Sequence, residues 1–477
     1  MARRVSLLVA GAPEAGEGTF EIRSPWDGRV VAEVARAGPA TLARAADAAA
    51  SAAAEMAALP ARARAEILER AAADLERRAD EVATVIVEEA GKPVTLARGE
   101  VARALDTLRA AAAVARSPET EALDLSGWAS GAGSLALVRR VPVGPVLAIT
   151  PFNFPLNLVA HKLAPAVAAG CPVVLKPASQ TPGPAVLLGE MLVAAGLPGA
   201  GLSVVPCRGA DAEPLVADRR FRLVTFTGSA EVGWKLRRLA WDRRVALELG
   251  GNAAVVVEPD GGDPAAIARR IAAGAFAYAG QSCISVQRVL VHEALYDTMR
   301  GELIAATERT PSGDPARDGT VAGPLIDEAN ADRVERWIRR AVEAGATLLA
   351  GGTREGNVVR PTLLENVPAD QPLVCEEVFG PVAVLSGYRS FEDALARVND
   401  SPYGLQAGIF TRDIGRIRRA WDVLEVGGVI QNDVPTWRSD PMPYGGVKRS
   451  GAGREGPLWA WREMTEERLL VLRPDPD

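Results

Sequence analysis

The chain reads as an α/β protein organised on parallel sheets, with two observations behind that assignment. From Val146 onward, apolar strand-like runs at 146–149, 172–175, 202–205, 223–226 and 245–249 alternate with helical segments at 156–169, 183–195, 211–218 and 230–239. Strands and helices alternating over short loops form a parallel sheet covered on both faces. The second is length: 477 residues at about 150 per domain give two or three domains, and a further α/β region begins near Asn252.

Taken in order, residues 20–35 predict two short strands joined by a turn containing Pro25 and Asp27-Gly28. Helices follow at about 40–57, 61–90 and 94–116. Ile67, Leu68, Ala71, Leu75 and Ala79 recur at the spacing of one buried helical face, and these helices read as structural. Residues 117–140 are polar and Gly/Ser-rich before alternating through Leu135–Arg140. A projecting hairpin suits that pattern, either as an oligomer contact or as a surface flap. Beyond Asn252, Val289–His292 and Val382–Leu385 read as strands, with a punctuated loop, Glu376–Pro381, before the second. Pro441–Gly451 is a glycine-dense loop, and Leu469–Leu472 reads as a strand that pairs outside its own domain.

Composition narrows the function. Apolar content of 48% and charged content of 24% are those of an ordinary globular protein. A net charge of −6 and the lack of a basic stripe with interleaved aromatics argue against nucleic acid. Residues 141–160 carry no charge and are long enough to cross a bilayer. They also hold Pro142, Pro145, Pro151 and Pro155, which break a helix, so a strand, a turn and a helix start are expected, with no membrane span. The N-terminus is too short in apolar residues for a signal peptide. Cys171, Cys207, Cys283 and Cys375 are far apart, and His161 and His292 are the only histidines. No disulfide framework and no metal site is expected, and the compartment reads as reducing cytosol. Only five of 54 basic residues are lysines, a bias that carries weight where a lysine falls inside a motif.

Unusual residues collect at the carboxyl ends of the strands, where open parallel sheets bind ligands: Thr150–Asn153, Lys176–Ser179, Phe226–Ser229 and Glu248. Cys283, in Gly280-Gln281-Ser282-Cys283-Ile284-Ser285, is flanked by small residues that let a turn expose its sulfur. It is a candidate nucleophile, which needs a lowered pKa or a nearby base; by itself it reads more readily as a small buried hydrophobe. Glu248 ends an apolar run before Gly250 and Gly251, and reads as a base or as a strand-end carboxylate bonded to backbone.

Assembled in order, seven stretches resemble the aldehyde dehydrogenase superfamily over essentially the whole chain. They are Pro151–Pro155, Lys176-Pro177, Phe226–Ser229 with Gly233, Glu248–Gly251, Gly280-Gln281 with Cys283, Glu377–Pro381 and Tyr444–Gly451. The resemblance implies a Rossmann-like cofactor domain (1–117 and 141–248), an α/β catalytic domain (249–440) and a small β oligomerisation flap (118–140 and 455–477). It implies a homodimer or homotetramer.

It also implies roles. Cys283 as thiolate attacks an aldehyde to give a thiohemiacetal. Asn153, otherwise a turn residue between prolines, stabilises the oxyanion with the Cys283 backbone N–H. Hydride passes to a nicotinamide, and Glu248 activates water to hydrolyse the thioester. Members that transfer the acyl group to coenzyme A generally lack this glutamate, so the product expected is a free acid. Gly228 and Ser229, before helix 230–239, suit pyrophosphate or a plain N-cap. Glu377 resembles the residue bonding the nicotinamide ribose, Phe379 the one packing near the ring, and Lys176 the one reaching the adenosine ribose. NAD-selective members carry glutamate where Ser179 stands. Without its charge a 2′-phosphate meets no repulsion, so NADP is expected to be accepted, and the electrostatics lean toward its preference.

For the substrate, Asn432–Arg438 resembles the aldehyde entrance. Arg438 clamping a carboxylate points to an acidic semialdehyde such as succinate semialdehyde, while a solvated Arg438 is the alternative. Trp437, Arg288 and His161 are further pocket candidates. Two rival readings are a silent family member acting as a binding or structural protein, and a cysteine esterase whose activity is a side reaction of the same thiol.

Overall fold

The computed structural model describes residues 2–473, so the last four positions of the expected 455–477 segment lie outside the described residues. Five parallel strands lie side by side in the order Arg244–Glu248, Leu223–Thr227, Val146–Ile149, Val173–Lys176 and Leu202–Val204. Each lies within a residue or two of its expected position. Val173–Lys176 and Leu202–Val204 are buried at every residue, as a sheet covered on both faces requires. Chain order runs outward in both directions from Val146–Ile149. The sheet therefore has its switch point beside Leu223–Thr227, the place where crevices open at the carboxyl ends.

Antiparallel strands close both edges: Leu7–Val9 with Ala12–Glu14 on one side, and Gly451–Ala452 against Arg244–Glu248 on the other. The latter needs glycine. Gly451 has φ +152°, and a Cβ there would stand 2.2 Å from the Leu247 carbonyl oxygen. This contact ties the 441–451 loop to the strand that ends in Glu248. Helix Asn157–Ala169 is buried at every residue, so it shows no amphipathic face.

The expected helix 61–90 is two helices, Ala61–Arg77 and Ala79–Ala90. Arg78 breaks it without proline or glycine, its guanidinium bonding both Glu81 carboxylate oxygens at 2.8 Å. Composition carries no mark of such a break.

The second sheet has seven strands in the order Thr347–Ala350, Thr362–Glu365, Val382–Tyr388, Val286–His292, Ala253–Val257, Gln406–Phe410 and Gly428–Gln431. All neighbours are parallel except the first pair. Thr120–Asp124, Leu135–Pro142 and Thr465–Leu472 form a separate antiparallel sheet, in which Leu472 faces Leu135 and Thr465 faces Pro142. The terminal strand thus pairs outside the sheets before it. The flap begins only at Thr465; residues 457–463 are a helix packed on Asn157–Ala169. Among the described residues, no helix is long and apolar enough to cross a membrane.

Candidate active site

A cavity of about 800 Å³ opens between the two sheets. Its wall takes Asn153, Gly228, Ser229 and Glu248 from the first sheet, Cys283, Glu377 and Phe379 from the second, and Arg438 and Tyr444 from the loop that follows. Residues dispersed over nearly three hundred positions of sequence meet there.

Cys283 stands on a strained turn leading into strand Val286–His292. Tyr278, Ala279 and Gly280 have φ of 53°, 52° and 66° in succession, a left-handed run that non-glycine residues resist. A Cβ on Gly280 would meet the Gly380 carbonyl oxygen at 2.2 Å, so this glycine admits no side chain. Gln281, buried beside the turn, holds it. Its amide donates to the Tyr278 and Pro324 carbonyls and accepts from the Ile326 N–H at 2.9 Å. The sulfur is reached through the cavity yet lies deep in protein, and burial pushes the thiol up to about 12. Tyr444 bonds it at 2.8 Å.

Asn153 is buried and donates one amide hydrogen to the Gln281 carbonyl at 3.0 Å. Its second amide hydrogen makes no bond among the described residues, and the Gln281 acceptor of the first lies two residues before Cys283. Glu248 is buried and its Oε2 has no partner. Burial raises its pKa well above the carboxylate range. Glu455 adds to the rise, while Lys162, Arg438 and Arg454 oppose it. Burial pushes Glu455 up as well, but His161, Arg438 and Lys162 outweigh it and hold that group low.

The cavity also fits a dinucleotide. Ser229 caps helix Ala230–Leu239, and Gly228 spends its N–H on the Glu248 carbonyl at 3.0 Å. The donors left for a phosphate are those of the helix's first turn. Thr227 Oγ1 is a buried polar atom without a partner on the same wall. Glu377 accepts the Gly251 N–H at 3.0 Å, and burial pushes it up to about 7. Phe379, at φ +46°, packs edge-on to Phe152 with ring centroids 5.8 Å apart. Lys176 and Ser179 stand off this wall, at the end of the neighbouring strand. Lys176 is buried, which lowers its pKa, and Ser179 Oγ donates to the Cys207 carbonyl at 2.9 Å.

The four substrate candidates divide. Arg438 lines the cavity; it is buried, bonds Glu455 at 2.6 Å, and its Nε has no partner. The solvated alternative fails for it. Arg288 is withdrawn as a pocket residue. Its guanidinium donates to the carbonyls of Asn252, Arg397 and Val398, because a cation on a central strand must find acceptors where it is buried. His161 sits behind the wall, bonded to Asp440 at 2.8 Å and to Arg438 at 3.1 Å. Trp437 is 46% exposed and off the wall.

Sequence reasoning missed the helical wall. Helix Val94–Arg116, read as structural, brings Leu96, Gly99, Glu100 and Arg103 to the cavity. Arg103 grips Asp440 through two bonds of 3.0 and 2.8 Å. Lys92, fully buried, pairs with Glu100 and stands 3.7 Å over the Phe154 ring. The scarcity of lysine was the signal for Lys92. For Arg103, with its i+3 step from Glu100, there was none among so many arginines.

A model of the aldehyde dehydrogenase family matches residues 12–470. The chain belongs to that family. A 3-sulfolactaldehyde dehydrogenase of Priestia aryabhattai is 45% identical over 396 residues, 83% of each chain. The structure of aldehyde dehydrogenase 21 from Physcomitrella patens, in complex with the reaction product succinate, superimposes with a TM-score of 0.97 at 41% identity over 99% of both chains. An NADP-dependent glyceraldehyde-3-phosphate dehydrogenase from Bacillus halodurans, complexed with NADP, gives 0.95 at 34% identity, covering 98% of this chain and 99% of that one. This aldehyde dehydrogenase is accordingly an oxidoreductase that uses NAD(P) to convert an aldehyde to the carboxylic acid.

Proposed function

We propose that this aldehyde dehydrogenase acts on a small aldehyde bearing an anionic group, such as succinate semialdehyde, with Cys283, Asn153 and Glu248 as its catalytic residues. The observation that carries the substrate class is Arg438. Arg438 lines the cavity that also holds the thiol, and its buried Nε has no acceptor among the described residues. A guanidinium held beside the thiol attracts an arriving carboxylate or sulfonate. Relatives named for sulfolactaldehyde and glyceraldehyde-3-phosphate, and a neighbour holding succinate, support an anionic substrate.

The chain's own residues supply the rest. Arg438 orients the anionic end, and Asn153 with the Cys283 N–H receives the oxyanion as sulfur adds to the carbonyl. Bound NAD(P) supplies the hydride acceptor. Glu248, its basicity raised by burial, takes a proton from the water that cleaves the thioester. Ser179 in place of a carboxylate supports NADP as the preferred dinucleotide. Exposed Leu469, Leu470 and Leu472 on the flap support a homodimer or homotetramer. Free thiols at all four cysteines support a cytoplasmic setting.

The test compares succinate semialdehyde with an uncharged aldehyde of similar length in Arg438→Lys, which retains the charge but loses the guanidinium fork. KM for the acidic aldehyde is expected to rise about tenfold, with little change for the neutral one. Equal changes for both would remove Arg438 from recognition.

A further inference from the structure

We infer that the Tyr444 hydroxyl is a fourth catalytic group, donating a hydrogen bond to the Cys283 thiolate and thereby setting how readily that thiol ionises. The inference rests on Cys283 being the nucleophile. Its first support is placement. The phenol oxygen lies 2.8 Å from Sγ, and among the described residues it is the side chain that bonds this sulfur. Tyr444 is 4% exposed, and its backbone is clamped to Glu455 by bonds of 3.0 and 2.6 Å. The Arg438 guanidinium covers its ring at 3.9 Å and is itself anchored on Glu455. The hydroxyl cannot swing off the sulfur without dismantling that stack.

The second support is chemical. While the thiol is neutral, either atom can donate. When the S–H bond breaks, its proton leaves to a base, for which Glu248 stands on the same wall, and the electron pair stays on sulfur. A thiolate only accepts, so the phenol O–H, which remains intact, must point at it. Hydrogen bonds to an ionised partner are roughly twice as strong as neutral ones, so the contact favours the ionised state over the resting one. Little else at the sulfur does: burial, Glu377 and Glu248 all oppose ionisation, with Arg438 on the other side. Burial keeps the phenol itself protonated far beyond the working range. The cation over the ring further polarises the O–H. Once the S–C bond forms, the negative charge passes to the carbonyl oxygen and this hydrogen bond loses its advantage. Tyr444 therefore serves thiolate formation and acylation, and hydrolysis of the thioester is indifferent to it.

The test is Tyr444→Phe, with Cys283 alkylation by iodoacetamide followed by mass spectrometry from about pH 6 to about pH 10. The thiol's midpoint, at about 12, lies above this window, so the Cys283 rate should climb about tenfold per pH unit in both proteins and sit about tenfold lower in the variant throughout; alkylation of Cys375 and dinucleotide binding stay unchanged. kcat/KM for the aldehyde falls to match. A Cys283 rate equal to wild type across the window, or an equal fall in the Cys375 rate, overturns the inference. If Tyr444→Phe fails to bind dinucleotide, replacement of all five tyrosines by 3-fluorotyrosine gives the same reading with opposite sign. The more acidic phenol should raise the Cys283 alkylation rate across the window, and an unchanged rate refutes it. Cys283→Ser separates the two ideas: aldehyde oxidation surviving in that variant defeats the nucleophile assignment itself, whatever Tyr444 does.

Discussion

The turn before Cys283 predicts a large penalty for one added methyl group. Gly280→Ala introduces two costs that can be measured apart. At φ +66° any Cβ carries a left-handed penalty of roughly 1–2 kcal/mol. At Gly280 that Cβ would also meet the Gly380 carbonyl oxygen at 2.2 Å. Backbone cannot rotate aside as a side chain can, so relieving the contact means moving the turn, at about 1–3 kcal/mol. Gly356 is the natural control, with φ +56° and open space around its missing Cβ. Differential scanning calorimetry should therefore show Gly280→Ala melting roughly 2–5 °C below wild type and Gly356→Ala only about 1–2 °C below, at about 1 °C per kcal/mol for a chain of 477 residues. Because Cys283 follows three residues later, kcat should fall at least tenfold in the first variant at a temperature where it is folded, since a displacement of about 1 Å near the reacting atoms is enough. In Gly356→Ala, kcat should be unchanged. Equal melting temperatures for the two variants, or an active Gly280→Ala enzyme, would refute the claim that the strained run positions the thiol.

Glu248→Gln should leave a rapid burst of reduced dinucleotide near one equivalent per subunit, while steady turnover falls about 10²–10⁴-fold; loss of the burst itself would place Glu248 before acylation. Glu377 tests the electrostatics without turnover. Its pKa is pushed up to about 7 from 4.5, so the folded state holds its proton more tightly than the unfolded chain. The group's full contribution to stability is present below pH 4.5 and is lost as pH rises toward about 7. Glu377→Gln, which cannot ionise, should melt like wild type near the lower value and several degrees higher at about pH 8; a constant difference across that span would contradict the burial argument. Ser179→Glu places a carboxylate where a 2′-phosphate is expected, and should raise KM for NADP at least tenfold relative to NAD. Parallel changes for both cofactors would show that Ser179 is remote from the ribose.

How much was legible follows from where each signal resides. The five central strands of the first sheet could be located to within two residues because sandwiching between helices demands unbroken apolar runs. Helix 157–169 was visible from its prolines and apolar content. Gln406–Phe410 and Gly428–Gln431 were not, since a glycine and a glutamine dilute strands only five and four residues long. The same locality explains the site. Cys283, Glu248, Asn153 and Glu377 stand in compact motifs whose glycines and prolines shape the backbone around them. Arg103, Lys92 and Glu455 contribute through long side chains that converge only after folding, and Arg288 looked equivalent to Arg438 because a one-dimensional string does not say which way a side chain points.

The sequence by itself determined the α/β class, the family's motif order and the candidates for the reacting groups, because local periodicity and short glycine-rich turns encode those features in neighbouring residues. Tertiary structure alone decided what those groups experience. Which carboxyl is raised and which is held low, which arginine keeps a spare N–H, and which hydroxyl rests on the sulfur all depend on distances between segments far apart in the chain. Those distances exist only when two sheets close over one cavity and exclude the water that would otherwise screen every charge in it.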